Sequence, residues 1–189
     1  MLARVAEHLF WLARYLERAE NIARLVLVNT HLLLDLPAGR SPGWRPLITM
    51  IGADEPFDEG GPVKDEAAKA LRFLLADRKG GVSVLACLQR ARENTRVCRD
   101  LLPRNTWEQV NALHIYASEQ LSQGLSKRGQ YAYLNGIIER SQTINGTLEG
   151  TLNRDEGYAF LILGRLLERA DMTTRIVDVR SADLLPDAL

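Results

Sequence analysis

The stretch LARYLERAENIARLV, residues 12–26, returns as LGRLLERADMTTRIV, residues 163–177, at a constant offset of 151. Arg14 matches Arg165, Glu17 matches Glu168, Arg18 matches Arg169, Glu20 matches Asp171 and Arg24 matches Arg175. Apolar residues in these stretches recur at spacings of three and four, the period of an amphipathic helix and not the two-residue period of a strand. A turn of about 100° per residue puts Glu7, Phe10, Arg14, Glu17, Arg18 and Asn21 on one stripe of the first copy, opposite Leu12, Leu16, Ala19 and Ala23. A solvated face with local Glu–Arg pairs, each worth about 0.3–0.5 kcal/mol, accounts for one such copy. It does not account for two in register, because a wet surface tolerates almost any polar side chain.

Outward from this stretch, the pattern predicts a helix over residues 3–36, ended by Pro37 and Gly39. Residues 38–64 hold most of the prolines and the Gly60-Gly61 pair, so they read as a long connection with a short helix near residues 46–51. A helix over 65–77 follows, stopped by Gly80-Gly81. Ser83 reads as the N-cap of a helix to residue 102, which Pro103 terminates. Thr106 and Gln109 have capping-box spacing for a helix to about residue 123, and further helices span 128–151 and 155–182. Gly136, Gly146 and Gly150 cost roughly 1 kcal/mol each against Ala, so the fifth helix is either shorter than drawn or approached closely by another backbone. No segment alternates as a strand does. The expected fold is all-α: one domain over 1–189, a single helical bundle of about six helices with a long connection after the first.

Composition narrows the function. The 24 basic residues balance 24 acidic ones, so no long-range field favours nucleic acid or an anionic membrane. The longest apolar run, residues 25–36, is broken by Asn29, Thr30, His31 and Asp35 and is too short to span a bilayer. The opening MLARVAEHLF lacks the order of a secretory signal, which reads as a cytoplasmic protein. Cys87 and Cys98, 11 residues apart in one expected helix, stand about 16 Å apart along its axis at ~1.5 Å per residue and cannot pair. A carboxylate-bridged metal centre in a bundle needs Glu three residues before His. Here Val5, Val28 and Asn111 precede His8, His31 and His114 at that spacing, so no metal is expected. Nor does a phosphate-cradling glycine loop occur, and no cofactor is expected.

RARENTR (90–96) adds Arg92, Glu93 and Arg96, and ERSQ (139–142) adds Glu139 and Arg140, so four of the six expected helices carry closely spaced Glu and Arg. Arginine suits a buried network because its planar fork binds carboxylates at two points and stays charged when desolvated. The structural expectation is that the first and last helices pack antiparallel, Glu17 meeting Arg169 and Glu168 meeting Arg18 across a pseudo-twofold axis. The functional counterpart is that Arg14, Arg18, Arg165 and Arg169 are aimed at an anionic ligand. Asp155 and Glu156 read as acids at a helix start, worth about 0.3–1 kcal/mol against the dipole. Trp44, in SPGWRP (41–46), reads as a partner contact, an aromatic on a loop.

MLARVAEHLFWLARYLERAENIARLV (1–26), RARENTRVCRDLLPRNTWEQVN (90–111), IIERSQTINGT (137–147) and RDEGYAFLILGRLLERADMTTRIVDV (154–179) occur in this order. With them the chain resembles the bacterial alpha-E domain family, named for helices bearing a Glu-Arg motif. The resemblance covers nearly the whole chain and maps the family's motif onto Glu17, Arg18, Glu139, Arg140, Glu168 and Arg169. Its Arg-Asp-Glu-Gly segment falls on Arg154, Asp155, Glu156 and Gly157. Family members commonly carry a further helical region beyond the second motif, whereas this sequence stops at LLPDAL, so the resemblance reads it as part of a longer unit. The family is associated with circularly permuted ATP-grasp ligases and transglutaminase-like proteins, which implies a system that makes or modifies peptides. The expectation is a non-catalytic helical partner of such a ligase, binding an anionic peptide or acyl-phosphate group. The alternatives are an enzyme using Glu17 or Glu168 as a general base, and a homo-oligomeric scaffold with an exposed apolar face on the helix over 65–77.

Overall fold

The computed structural model describes residues 2–35, 43–59, 61 and 64–182. These form nine helices and no strand: α1 (Ala3–Asp35), α2 (Arg45–Met50), α3 (Asp54–Asp58), α4 (Glu66–Ala76), α5 (Val84–Val97), α6 (Arg104–Glu119), α7 (Leu121–Gly124), α8 (Gln130–Thr151) and α9 (Glu156–Ala182). Pro37, Gly39, Gly60 and the LLPDAL ending lie outside the described residues.

α1 is the axis of the fold. Leu12, Leu16, Ala19, Ala23 and Val26 on its apolar stripe are all 0% exposed, and it packs on α5, α8 and α9. His8 bonds Asn94 at 2.7 Å and the Cys98 sulfur lies 4.0 Å from the Val5 carbonyl, so α5 runs antiparallel to α1. Gln109 bonds Thr147 at 3.2 Å and Tyr116 donates to the Ala132 carbonyl at 3.2 Å, which sets α8 antiparallel to α6. Thr30 bonds Gln130 at 3.2 Å near the far end of α1. The four helices α1, α5, α6 and α8 therefore close an up-down-up-down bundle.

Several local expectations change. Ser83 does cap α5, accepting from the Ala86 amide at 3.1 Å, and Asp65 caps α4 in the same way from Ala68 at 2.9 Å. Thr106 caps nothing: α6 starts at Arg104 after Pro103, Thr106 is buried in its first turn, and Gln109 reaches across to α8. α5 ends at Val97, not near residue 102, and the helix expected to reach residue 123 breaks at Gln120 into α6 and α7. α8 keeps its full length despite three glycines. A Cβ at Gly136 would collide with the Tyr116 ring, whereas Gly146 and Gly150 face open space.

The long connection is partly structured, and this corrects the reading of Trp44. α2 and α3 fold it back so that Trp44, Leu47, Ile48 and Phe57 enter the core, and Trp44 is 7% exposed. It is a packing residue just before α2, not a surface contact. The apolar face expected open on α4 is also covered: Ala70, Leu74 and Leu75 are buried, and no large apolar side chain of this helix is exposed. Among the described residues, no helix is long and apolar enough to cross a membrane.

Candidate ionic site between α1 and α9

α9 lies on α1 outside the four-helix bundle, and the two run parallel. Gly157 lies against Leu9, Gly164 against the Phe10 carbonyl, Glu168 against Arg14 and Arg18, and Met172 and Arg175 beside Ile22. Residue numbers rise together along both helices, which overturns the antiparallel expectation. The two central pairs alone could not decide it. Exchanging adjacent Glu and Arg across a twofold yields the same partners whether the axis runs along the helices or across them. A Cβ at Gly164 would collide with the Phe10 carbonyl, so glycine is what lets the two backbones approach. Its match in the first copy is Ala13, also small.

The geometry at the centre is reciprocal. Arg169 donates from Nε and Nη2 to Glu17 at 2.8 and 3.3 Å. Arg18 donates from Nε and Nη2 to Glu168 at 2.5 and 2.8 Å, and Arg14 Nε adds a third bond to Glu168 at 2.7 Å. Glu17 is 2% and Glu168 1% exposed. Burial by itself would lower the Arg18 pKa, but the hydrogen bond and charge of Glu168 outweigh it and hold Arg18 above its ordinary value. Glu17 raises Arg169 in the same way, by its hydrogen bond first and then its charge. Beside this site, burial pushes the Cys87 thiol of α5 up to about 12, so it stays protonated despite the neighbouring Arg18.

The next turn repeats the symmetry within each helix: Arg24 bonds Glu20 at 2.7 Å, and Arg175 bonds Asp171 at 3.1 Å. Arg14 and Arg165 break it. Arg14 turns to Glu168 under the rings of Phe10 and Trp11, whereas Arg165 pairs with Glu149 of α8. Glu149 was not expected here, since it lies outside every Glu-Arg motif.

The other motifs do not join. Arg92 bonds Asn111 at 2.7 Å and lies over Trp107, while Glu93 pairs locally with Arg96 at 3.1 Å. These positions lie off the buried stripe of α5, which is Val84, Leu88, Ala91 and Thr95. Glu139 is exposed, and Arg140 bonds the Gly136 carbonyl and covers Tyr116. The four-helix network is therefore a two-helix clamp with one arm to α8.

Asp155 caps α9, accepting from the Tyr158 amide at 3.1 Å, and Glu156 opens the helix. Both border a cleft of about 460 Å³ whose walls are otherwise apolar, chiefly Leu2, Val5, Leu9, Leu101 and Leu152. A smaller cleft of about 120 Å³ opens beside the clamp, where Arg18, Glu168, Asp171 and Arg175 meet Ile22, Ile51, Val82 and Met172. Glu17 and Arg169 do not line it. Among the described residues, no group of three or more His, Cys, Asp or Glu is placed to hold a metal ion.

A family model described as Alpha-E, "a predicted alpha-helical domain with a conserved ER motif", matches residues 1–188. The chain belongs to this family. Comparison with curated proteins and with solved structures gives no match.

Proposed function

We propose that the chain is a non-catalytic helical partner of an ATP-grasp-type peptide ligase in the cytoplasm, holding an anionic peptide or acyl-phosphate group through its arginines. The observation that carries the non-catalytic part is the state of the two motif glutamates. Both are buried, and in each both carboxylate oxygens accept from guanidinium groups. A general base needs an accessible lone pair within reach of the proton it removes. Glu17 is 2% exposed, and Glu168, although it borders the 120 Å³ cleft, is 1% exposed with both oxygens held by Arg14 and Arg18, which counts against the enzyme reading. The ligase, and a transglutaminase-like protein beside it, come from the family resemblance.

Support for anion recognition comes from the 120 Å³ cleft. Arg18 is fixed there by Glu168, while Arg175 is held by an exposed Asp171 four residues away. Such an exposed pair contributes only about 0.3–0.5 kcal/mol, so an entering carboxylate or phosphate can take over Arg175 at little cost. Calorimetry with inorganic phosphate and N-acetylglutamate, on the wild type and Arg175→Gln, tests this part. Binding lost in the variant is expected, and equal binding by both proteins would overturn the cleft. Co-purification with the ATP-grasp ligase tests the partnership: recovery with wild type is expected, and failure to recover it at matched expression would refute the association.

A further inference from the structure

The repeat has one packing face covered and its copy open. Leu12, Leu16, Ala19, Ala23 and Val26 of α1 are each 0% exposed. Their matches on α9 are Leu163, Leu167, Ala170, Thr174 and Val177, and all five are exposed. Leu163 stands 47%, Leu167 45% and Val177 60% exposed, and Phe160 extends the row by one turn at 36%. Residues 160, 163, 167, 170, 174 and 177 alternate spacings of three and four, the seam of a helix that packs along another helix. None of the six is charged. On the other long helices the exposed large apolar side chains occur one or two apiece, with no such row.

We propose that this face seats a second copy of the chain, α9 against α9, antiparallel about a twofold axis between Leu167 and Ala170. The order of side-chain sizes points to that occupant. In this arrangement Phe160 meets Val177, Leu163 meets Thr174 and Leu167 meets Ala170, so each larger side chain of the first half faces a smaller one of the second. A parallel pair would instead set Phe160 on Phe160 and Ala170 on Ala170, crowding one end and leaving the other loose. The twofold also sets Asp171 opposite Leu166, Arg175 opposite Ile162 and Asp178 opposite Ala159, so no like charges meet. Two helices in contact along this seam bury on the order of 1,000 Å², near the floor for specific association, the range of weak and transient pairs.

Sedimentation equilibrium of the full chain tests the proposal, with circular dichroism as the check on folding. A dimer at tens of micromolar is expected, with Leu163→Lys weakening it by about tenfold or more while helicity is unchanged, since Leu163 is already exposed. A Leu163→Cys/Thr174→Cys variant, whose thiols stand about 16 Å apart along one helix and cannot pair within it, is expected to form a covalent dimer on oxidation by oxidised glutathione, which neither single variant does. A monomer at about 200 µM, or a dimer indifferent to Leu163→Lys, would overturn the interface. A Leu163→Lys-sensitive dimer in which the double variant does not cross-link would overturn the antiparallel arrangement.

Discussion

Glu168 accepts from two arginines and Glu17 from one, although the stretches around them carry the same Arg, Glu and Arg in register. The difference lies outside the repeat, in Glu149 of α8, which draws Arg165 away from Glu17. That partner was illegible in the sequence because nothing in the motif frame points to it, whereas the central pairs follow from the exchange of Glu and Arg between copies. The asymmetry has an energetic consequence. Arg14 and Arg18 are 20% and 23% exposed around a carboxylate at 1%, so Glu168→Ala strands two largely desolvated guanidinium groups. Breaking a buried pair from one side costs about 3–5 kcal/mol, and the lower end applies where the arginines still touch water. Arg169→Ala leaves Glu17, 3% exposed, without the guanidinium that both its oxygens accept from, and is expected to cost about 3 kcal/mol. Arg14→Ala leaves Glu168 its two bonds to Arg18 and is expected to cost about 1–2 kcal/mol. Urea unfolding measures both, and equal losses by Arg14→Ala and Arg169→Ala would contradict the asymmetry.

At the scale of elements, helix identity was legible and helix direction was not. The three- and four-residue periodicity located α1, α8 and α9 closely, since long periodic segments carry the strongest local signal. Direction depends on contacts away from the central pairs, above all Phe10 with Gly164 and Arg14 with Glu168. α2 lies close to the short helix expected near residues 46–51, whereas α3 was not legible, because it is short and draws its stability from burying Phe57 and not from propensity. The close approach of α1 and α9 rests on Gly164. Gly164→Val is expected to push the helices apart and lower stability by more than the ~0.5 kcal/mol usual for a surface change, with most of the helical signal retained. Thermal unfolding followed by circular dichroism measures it, and an unchanged or raised midpoint would place the helices further apart than described.

Across the whole molecule, α1 is shared: its apolar face belongs to the four-helix bundle and its ionic face holds α9. Cys87 and Cys98 sit in the core at 0% and 1% exposure, and burial raises both thiol pKa values. Alkylation at pH 8 is therefore expected to be slow in the native protein and to rise with the fraction unfolded by urea, so rapid native labelling of either thiol would contradict the packing. The composition indicated a single core, and the periodicity indicated an all-helical one. Neither indicated which helix would lie outside the bundle, because α9 repeats the frame of α1 and only long-range packing distinguishes them. The central claim is that a parallel α1–α9 clamp joins that outer helix to the core. A double-mutant cycle on Arg14→Ala and Glu168→Ala, read by urea unfolding, tests it most directly, since antiparallel helices would carry Arg14 away from Glu168. The clamp predicts a coupling of about 1–3 kcal/mol, and losses that add to within about 0.5 kcal/mol would contradict it.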